Sequence, residues 1–372
     1  MPRTPIENTH DIVVIGASAG GVDAVRRLLR GLPRDLPAAV FVVIHLDPSH
    51  DSQLATLFER PGGLPVRTAE NGEPIRPGQI LVAPRDRHLL VRTDRVEVVH
   101  GPRENGHRPA VDPLFRTASA AYGPRVIGVV LTGNLDCGTA GLLSIKSRGG
   151  LAVVQEPAEA AAPSMPSSAV AHVPVDHVAR LADMPALLRR LVDSKAAPWP
   201  TGVRREVRET EGSKLGADVE VVCPNCHGRL TVSDVDGYHT FRCHVGHAFS
   251  LQGLTAAQAE EVEVALWGAV RALEEASALS RRVARSMTGL LRERLLEKER
   301  TQSEQADVVR ALVMGGQSLS ASDAEPPEAQ DSLPEADDTA VGAPGNVVPL
   351  RPRRAGKRSR SRRRRPSAGR LG

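Results

Sequence analysis

Aromatic side chains supply only 2% of this 372-residue chain, so any core must be built from Val, Leu, Ile and Ala. No run approaches the ~18 apolar residues that a membrane helix needs. The first ten residues, MPRTPIENTH, hold no apolar stretch of the secretory type. Cysteine is scarce as well: four residues exclude a disulfide scaffold, and two of them stand in a C-x-x-C pair. In a chain without an export signal that pairing points to metal or redox chemistry in a cytoplasmic protein. No internal repeat is visible. What the chain does have is 41% hydrophobic residues, enough for a sizeable core in part of its length. Its net charge of +4 is local in origin. Residues 351–372 carry eleven Lys and Arg and no acid, so the remainder is net negative.

From 11 to 193 short β-rich runs alternate with helix-like stretches. The expected strands are 11–15, 39–45, 79–83, 88–92, 95–99, 126–131 and 151–155. The expected helices are 21–30, 53–59, 113–121, 138–146 and 185–192. Several strands are continuous apolar runs, as in parallel sheets covered on both faces. The alternation predicts a doubly wound, mainly parallel α/β domain of the Rossmann-like three-layer type, with its site at the carboxyl ends of the strands. Residues 1–10 read as a flexible N-terminus and 194–219 as a polar linker with Pro198, Pro200 and Gly202. A small cysteine- and histidine-rich unit follows at 220–250. A helical segment spans 255–314, with a break at 287–289 that would permit two helices. Residues 315–350 hold seven acids, no bases and several prolines, a disordered acidic linker before a disordered basic tail at 351–372.

The segment DIVVIGASAGG (11–21) sets Ser18 where a strand turns into a helix. No Lys follows the glycines, as a phosphate loop requires, and G-x-G-x-x-G spacing is missing. What remains is a serine turn similar in principle to a nucleophile elbow, or else a tight turn with a serine cap. Small neighbours would let a carbonyl approach. The N–H groups of Ala19 and Gly20, at a helix start, could hold an oxyanion. VVIHLDPSH (42–50) puts His45 at the end of another apolar strand, at the same sheet edge, where it could act as general base. VIGVVLTGNLDCG (126–138) ends in a loop with Asp136, an acid that could orient the imidazole.

These segments, in order, resemble the catalytic domain of the chemotaxis protein-glutamate methylesterase (CheB) family. The resemblance rests on GASAGG (16–21), VVIH (42–45), ILVAPRDRHLLV (80–91), RPAVDPLFRTA (108–118), LTGNLDCGTAGL (131–142) and MPSSAV (165–170). It implies a parallel α/β hydrolase with a Ser–His–Asp triad that cleaves glutamyl methyl esters on chemoreceptors and deamidates some receptor glutamines. It implies no catalytic cofactor. Ser18 and His45 carry over directly. The family's loop aspartate precedes a glycine, and here Cys137 occupies that position, with Asp136 one residue earlier. Either could complete the site, and a neutral thiol would be a poor substitute for a carboxylate. His88 and Asp112 are further polar residues in matched motifs, read more simply as structural. By resemblance, Met165 and Pro166 border the site. Because the first strand opens at Asp11, an N-terminal phospho-acceptor domain is not expected, and the enzyme would be either always active or gated by its C-terminal part or by another protein.

In CPNCHGRLTVSDVDGYHTFRCHVGH (223–247), Cys223, Cys226, Cys243 and His247 have the spacing of a Cys3His zinc ribbon around a hairpin at Asp236–Gly237. About thirty residues cannot bury enough core to fold alone, and metal–thiolate bonds would supply the deficit. Four protein ligands make such a zinc structural, not catalytic. His244 is the rival ligand; the C-x-x-G-H turn favours His247. The basic tail would attract nucleic acid or an anionic surface weakly, through counterion release. The sequence therefore predicts a soluble methylesterase acting on a methyl-accepting chemoreceptor-type protein, with a methyltransferase or signalling protein as a further partner. Its rivals are a CheB-like adaptor without strong catalysis and a nucleic-acid-associated protein built on the ribbon and tail.

Overall fold

The computed structural model describes residues 9–45, 53–198, 218–235 and 238–315. The expected hairpin turn at 236–237, the acidic segment after 315, the basic tail and most of the expected 194–219 linker lie outside these residues. The strands of the first part are β1 (Ile12–Ala17), β2 (Ala39–Ile44), β3 (Val66–Thr68), β4 (Gln79–Val82), β5 (His88–Val91), β6 (Val96–Val99), β7 (Val126–Val130), β8 (Leu151–Gln155) and β9 (His177–Ala179). Its helices are α1 (Gly21–Gly31), α2 (Leu54–Phe58), α3 (Val111–Tyr122), α4 (Thr139–Ser147), α5 (Ser164–His172) and α6 (Met184–Asp193).

Seven of the strands form one sheet in the order β3-β4-β2-β1-β7-β8-β9, every neighbour parallel. This is the doubly wound architecture that the alternation predicts. β5 and β6 depart from it. They pair only with each other, antiparallel, outside the main sheet. The physical reason is the short connection between them: parallel neighbours need a crossover of roughly a dozen residues or more, whereas a few suffice for a hairpin.

Because successive side chains point to opposite faces, β1 feeds two cores. Val14 joins Phe41, Val43, Leu114 and Phe115 on one side. Val13 and Ile15 join Val25, Leu28, Val42 and Leu188 on the other. All six residues of β1 are buried. The chain leaves β1 toward β2 on one side and returns at β7 on the other. Strand order thus reverses at β1, and a reversal of this kind opens a crevice beyond the strand ends.

The C-terminal part contains β10 (Asp218–Val222), β11 (Arg229–Val235), β12 (Tyr238–Cys243) and β13 (Ala248–Ser250), an antiparallel sheet in that order. Its own core is small: Cys223, Leu230, Cys243, Phe249 and Leu254. Ser250 caps the long helix α7 (Leu251–Ala284), its Oγ accepting from Gly253 N at 2.9 Å. After a break at the expected place, α8 (Gly289–Gly315) folds back on α7, tied by Arg281–Glu299 and Arg310–Glu274 pairs.

The small sheet docks on the first part through the loop before α3. Asn105 N donates to Ala248 O (2.8 Å), Ser250 N to Asn105 Oδ1 (2.7 Å) and Ala248 N to Arg103 O (3.3 Å). Tyr238 of β12 is buried in the core cluster that includes Phe41 and Phe115.

Gly16 shows how tightly β1 is held. A Cβ there would lie 2.3 Å from Val111 Cγ1, a stiff β-branched neighbour. Gly16→Ala should therefore destabilise the fold by about 1–3 kcal/mol in a urea titration; a variant as stable as wild type would show that α3 yields freely.

Candidate active site

The β1–β2 register pairs Ala17 with Ile44, and His45 N donates to Ala17 O at 3.1 Å. Ser18 and His45 are therefore the first residues beyond the paired ends of two adjacent strands. Both line one cavity of about 430 Å³, together with Gly20, Gly21, Asp23 and Arg26. The serine turn is pinned from β7's side. Ser18 N donates to Thr132 O (3.0 Å), Thr132 Oγ1 to Ala19 O (2.9 Å), and Gly21 N closes the turn onto Ser18 O (2.8 Å). Gly20, at φ 72°, takes the left-handed conformation at the start of α1 that suits glycine. Among the described residues no backbone carbonyl accepts from Ala19 N or Gly20 N. A Cβ on Gly133 would meet Ser18 Cβ at 2.8 Å, so the loop after β7 lies directly against the serine.

His45 stacks on His107, ring centroids 3.8 Å apart and 14° from parallel. Its Nε2 is buried and has no hydrogen-bond partner among the described residues. Burial first, then the charges of His107 and His88, press its pKa well below the ordinary imidazole value. The ring is therefore neutral near pH 7 and free to accept a proton. No carboxylate among the described residues hydrogen-bonds it to stabilise the imidazolium that would form.

The structure does not bring Asp136 to this imidazole. Asp136 is buried and faces the C-terminal sheet. Tyr238 Oη donates to its Oδ2 at 2.9 Å, and Ser250 Oγ donates to its Oδ1. Burial raises its pKa, against the lowering effect of those two bonds and of the His172 charge. Cys137 turns the other way, its thiol donating to Asp112 Oδ2 at 3.5 Å. Burial, and then the Asp112 charge, hold the thiol protonated. Asp112 itself staples two helix starts: Oδ1 accepts from Gly138 N (3.1 Å) and Gly141 N (2.7 Å). Burial pushes its pKa up to about 6. His88 bonds Pro102 O through Nε2 (2.8 Å) and accepts from Ala110 N at Nδ1 (3.3 Å), a structural role. Met165 is buried, its N–H on Gly133 O (2.9 Å), behind the loop that touches Ser18.

His107, Arg26, Tyr238 and Ser250 are the site's neighbours that sequence reasoning missed. His107 stands one residue before the RPAVD segment, and the pattern NGHRP was the available signal. Tyr238 and Ser250 lie 102 and 114 residues from Asp136, beyond any local pattern.

Cys223, Cys226, Cys243 and His247 gather with their ligand atoms all within 4.8 Å of one another. Cys226 Sγ and Cys243 Sγ are 3.6 Å apart; His247 Nδ1 lies 3.7 Å from Cys223 Sγ and 3.6 Å from Cys243 Sγ. Zinc bond lengths of ~2.3 Å to sulfur and ~2.0–2.1 Å to nitrogen give tetrahedral edges of about 3.8 and 3.6 Å, so the set fits a tetrahedral ion. His244 is exposed and outside this group.

The CheB methylesterase family matches residues 13–188 of the chain. A curated protein of Leptospira interrogans is 38% identical over 183 residues, which are 49% of this chain and 95% of that protein. A protein-glutamate methylesterase/protein-glutamine glutaminase of Anaeromyxobacter dehalogenans is 40% identical over 181 residues, 49% of this chain and 53% of that one. A Nocardioides protein of the same designation is 39% identical over 206 residues, 54% of this chain and 56% of its own. The crystal structure of the Thermotoga maritima CheB methylesterase catalytic domain is 31% identical, covering 50% of this chain and all of that one at a TM-score of 0.48.

Glu104 ties the loop carrying His107 to both parts of the molecule, bonding Arg116 through both oxygens (2.7 and 3.0 Å) and facing Arg242 of β12 at 3.5 Å. Burial alone would raise its pKa; Arg116 and Arg242 outweigh that and hold it at about 2, below the usual 4.5. A depressed carboxyl gives stability above its unfolded pKa and loses it as pH falls through the folded one. Between pH 4.5 and 2 the wild type should lose about 3 kcal/mol that a Glu104→Gln variant does not. Parallel acid-unfolding curves for the two proteins would contradict this.

Proposed function

The chain belongs to the CheB methylesterase family, and we propose that it hydrolyses glutamyl methyl esters on methyl-accepting chemoreceptor-type proteins through Ser18 and His45. The observation that supports this reading is that Ser18 and His45 line one cavity at the β1 reversal. Ser18 Oγ attacks the ester carbonyl while His45 takes its proton. The N–H groups of Ala19 and Gly20 hold the oxyanion. The tetrahedral adduct collapses, and methanol leaves with the proton that His45 returns. Water then attacks the glutamyl-serine ester, His45 again moving the proton, and the receptor leaves with its side chain as a glutamate carboxylate while the Ser18 hydroxyl is restored. With a glutamine side chain the same steps expel ammonia, the glutaminase reaction carried in the relatives' designations.

Asp136 is the acid that would steady the imidazolium in this scheme. The reaction needs no cofactor. The Cys223–Cys226–Cys243–His247 set would hold a structural zinc, with no open position for a substrate. No helix among the described residues is long and apolar enough to cross a membrane. A cytoplasmic setting accords with four cysteines that form no disulfide. A methyltransferase or signalling partner, and polyanions at the basic tail, complete the expected contacts. An adaptor without catalysis would draw its support from Cys137 and from the engagement of Asp136 by the C-terminal sheet.

Methanol release from a methylated receptor tests the reading. Ser18→Ala should abolish it and His45→Gln should lower it at least ~10³-fold, in the manner of other triads; release that persists in Ser18→Ala would contradict it. Purified protein should contain one zinc per chain, and chelation should unfold 218–250 while leaving the main sheet intact. A metal-free protein with that segment folded would contradict the zinc assignment.

A further inference from the structure

Two observations at the loop after β7 call for a common explanation. Among the described residues no carboxylate hydrogen-bonds His45, although an acid stands in the loop that packs on Ser18. And that acid, Asp136, has both oxygens bonded to hydroxyls from the C-terminal sheet. The loop's backbone is under strain at the same place. Leu135 adopts a left-handed φ of 60°, a conformation that a branched residue keeps only when its surroundings impose it. Gly133 and Gly138 flank it, and Gly138, at φ 99°, can turn where other residues cannot. The loop is therefore a short segment with a strained centre; its glycine ends are tied to Ala162, Met165 and Asp112, and its acid is held by the C-terminal sheet.

The fastening is built. Tyr238 is 7% exposed and Ser250 3% exposed, and the Tyr238 ring meets His172 edge-on at 5.4 Å. Burial and the Asp136 charge keep the phenol protonated and hence a donor. The same sheet grips the neighbouring loop through Arg103, Glu104 and Asn105, and that loop supplies His107, the ring stacked on His45. The C-terminal sheet thus touches both the loop that packs on Ser18 and the loop whose His107 stacks on His45.

We propose that Tyr238 and Ser250 are positioning residues that hold Asp136 away from His45, so that the C-terminal sheet acts as a latch on ester hydrolysis. The idea rests on the esterase reading above and adds its regulation. Losing either bond loosens the strained loop, which then turns about Gly133 and Gly138 and presents the carboxylate to the imidazole for part of the time. A methylated receptor or a signalling protein that pulls the small sheet off the 103–107 loop would do the same.

The test uses the full chain with Tyr238→Phe, and with Ser250→Ala as a second route should the first fail to fold; the serine variant also removes the α7 cap. Two quantities are read: the His45 imidazole titration by NMR, assigned with His45→Gln, and Ser18-dependent methanol release. His107 and His88 face His45 in every variant, so their effect on its titration is common to all. Tyr238→Phe should move the His45 midpoint up by ~1 pH unit or more, as a newly adjacent carboxylate does. It should also raise kcat roughly tenfold at unchanged KM, a fraction of the ~10⁴ that a triad acid supplies in a serine protease. Adding Asp136→Asn should cancel both gains. If Tyr238 were merely structural, kcat and thermal stability would fall and the midpoint would stay. An unmoved midpoint, or turnover that does not rise in an active enzyme, overturns the latch. A raised midpoint with no Ser18-dependent methanol in any variant would overturn the esterase reading and leave the latch geometry standing.

Discussion

The pairing of β1 with β2 is the constraint on which the rest depends. Their parallel register brings Ala17 opposite Ile44, so the next residue of each strand, Ser18 and His45, must emerge at one edge. The two residues are far apart in sequence and meet only because both strands are locked in a sheet buried on both faces. Gly16 allows β1 to press against Val111, and Thr132, just beyond β7, ties down the turn that carries the serine. A slip of one residue in β1–β2 would turn every side chain to the opposite core and separate the pair.

Around that pair the catalytic parts are unevenly supplied. Ser18, the proposed nucleophile, sits at a helix start with two N–H groups that have no backbone acceptor among the described residues, the usual makings of oxyanion stabilisation. His45, the proposed base, is desolvated and stacked on a second imidazole, which weakens it. The acid is present in the loop but engaged elsewhere. A site with these three features has its geometry set by the main sheet and its electrostatics set by what packs against the loops. The C-terminal sheet, whose own core is small, gains footing on the first domain through Tyr238 and the Glu104 ion pairs, and it gathers four groups that could hold a metal.

Much of this was legible in the sequence where local pattern determines structure. Apolar runs gave the central strands, because a strand covered on both faces has no polar side to show. The gathering of the cysteine–histidine cluster is equally local, since short turns of fixed length bring its side chains together. The edge strands β3 and β9 escaped notice: each has three residues and carries exposed side chains, so it lacks a hydrophobic period. Helix α5 was hidden by its Ser- and Pro-rich composition, which reads as loop. The role of Asp136 was illegible for a different reason. Its neighbour sequence suggested a triad member, but a carboxylate bonds whichever donors are nearest in space, and here those come from strands more than a hundred residues on. His107 shows the same limit, since nothing in NGHRP announces a ring that will stack on His45.

The most direct measurement of the central claim is covalent trapping of the nucleophile with a serine-directed fluorophosphonate, read by peptide mass spectrometry. The account predicts a single adduct, on Ser18, whose formation slows sharply when His45 is replaced by Gln. An adduct elsewhere, or labelling of Ser18 at the same rate without His45, would contradict the pairing of hydroxyl and imidazole across the two strand ends.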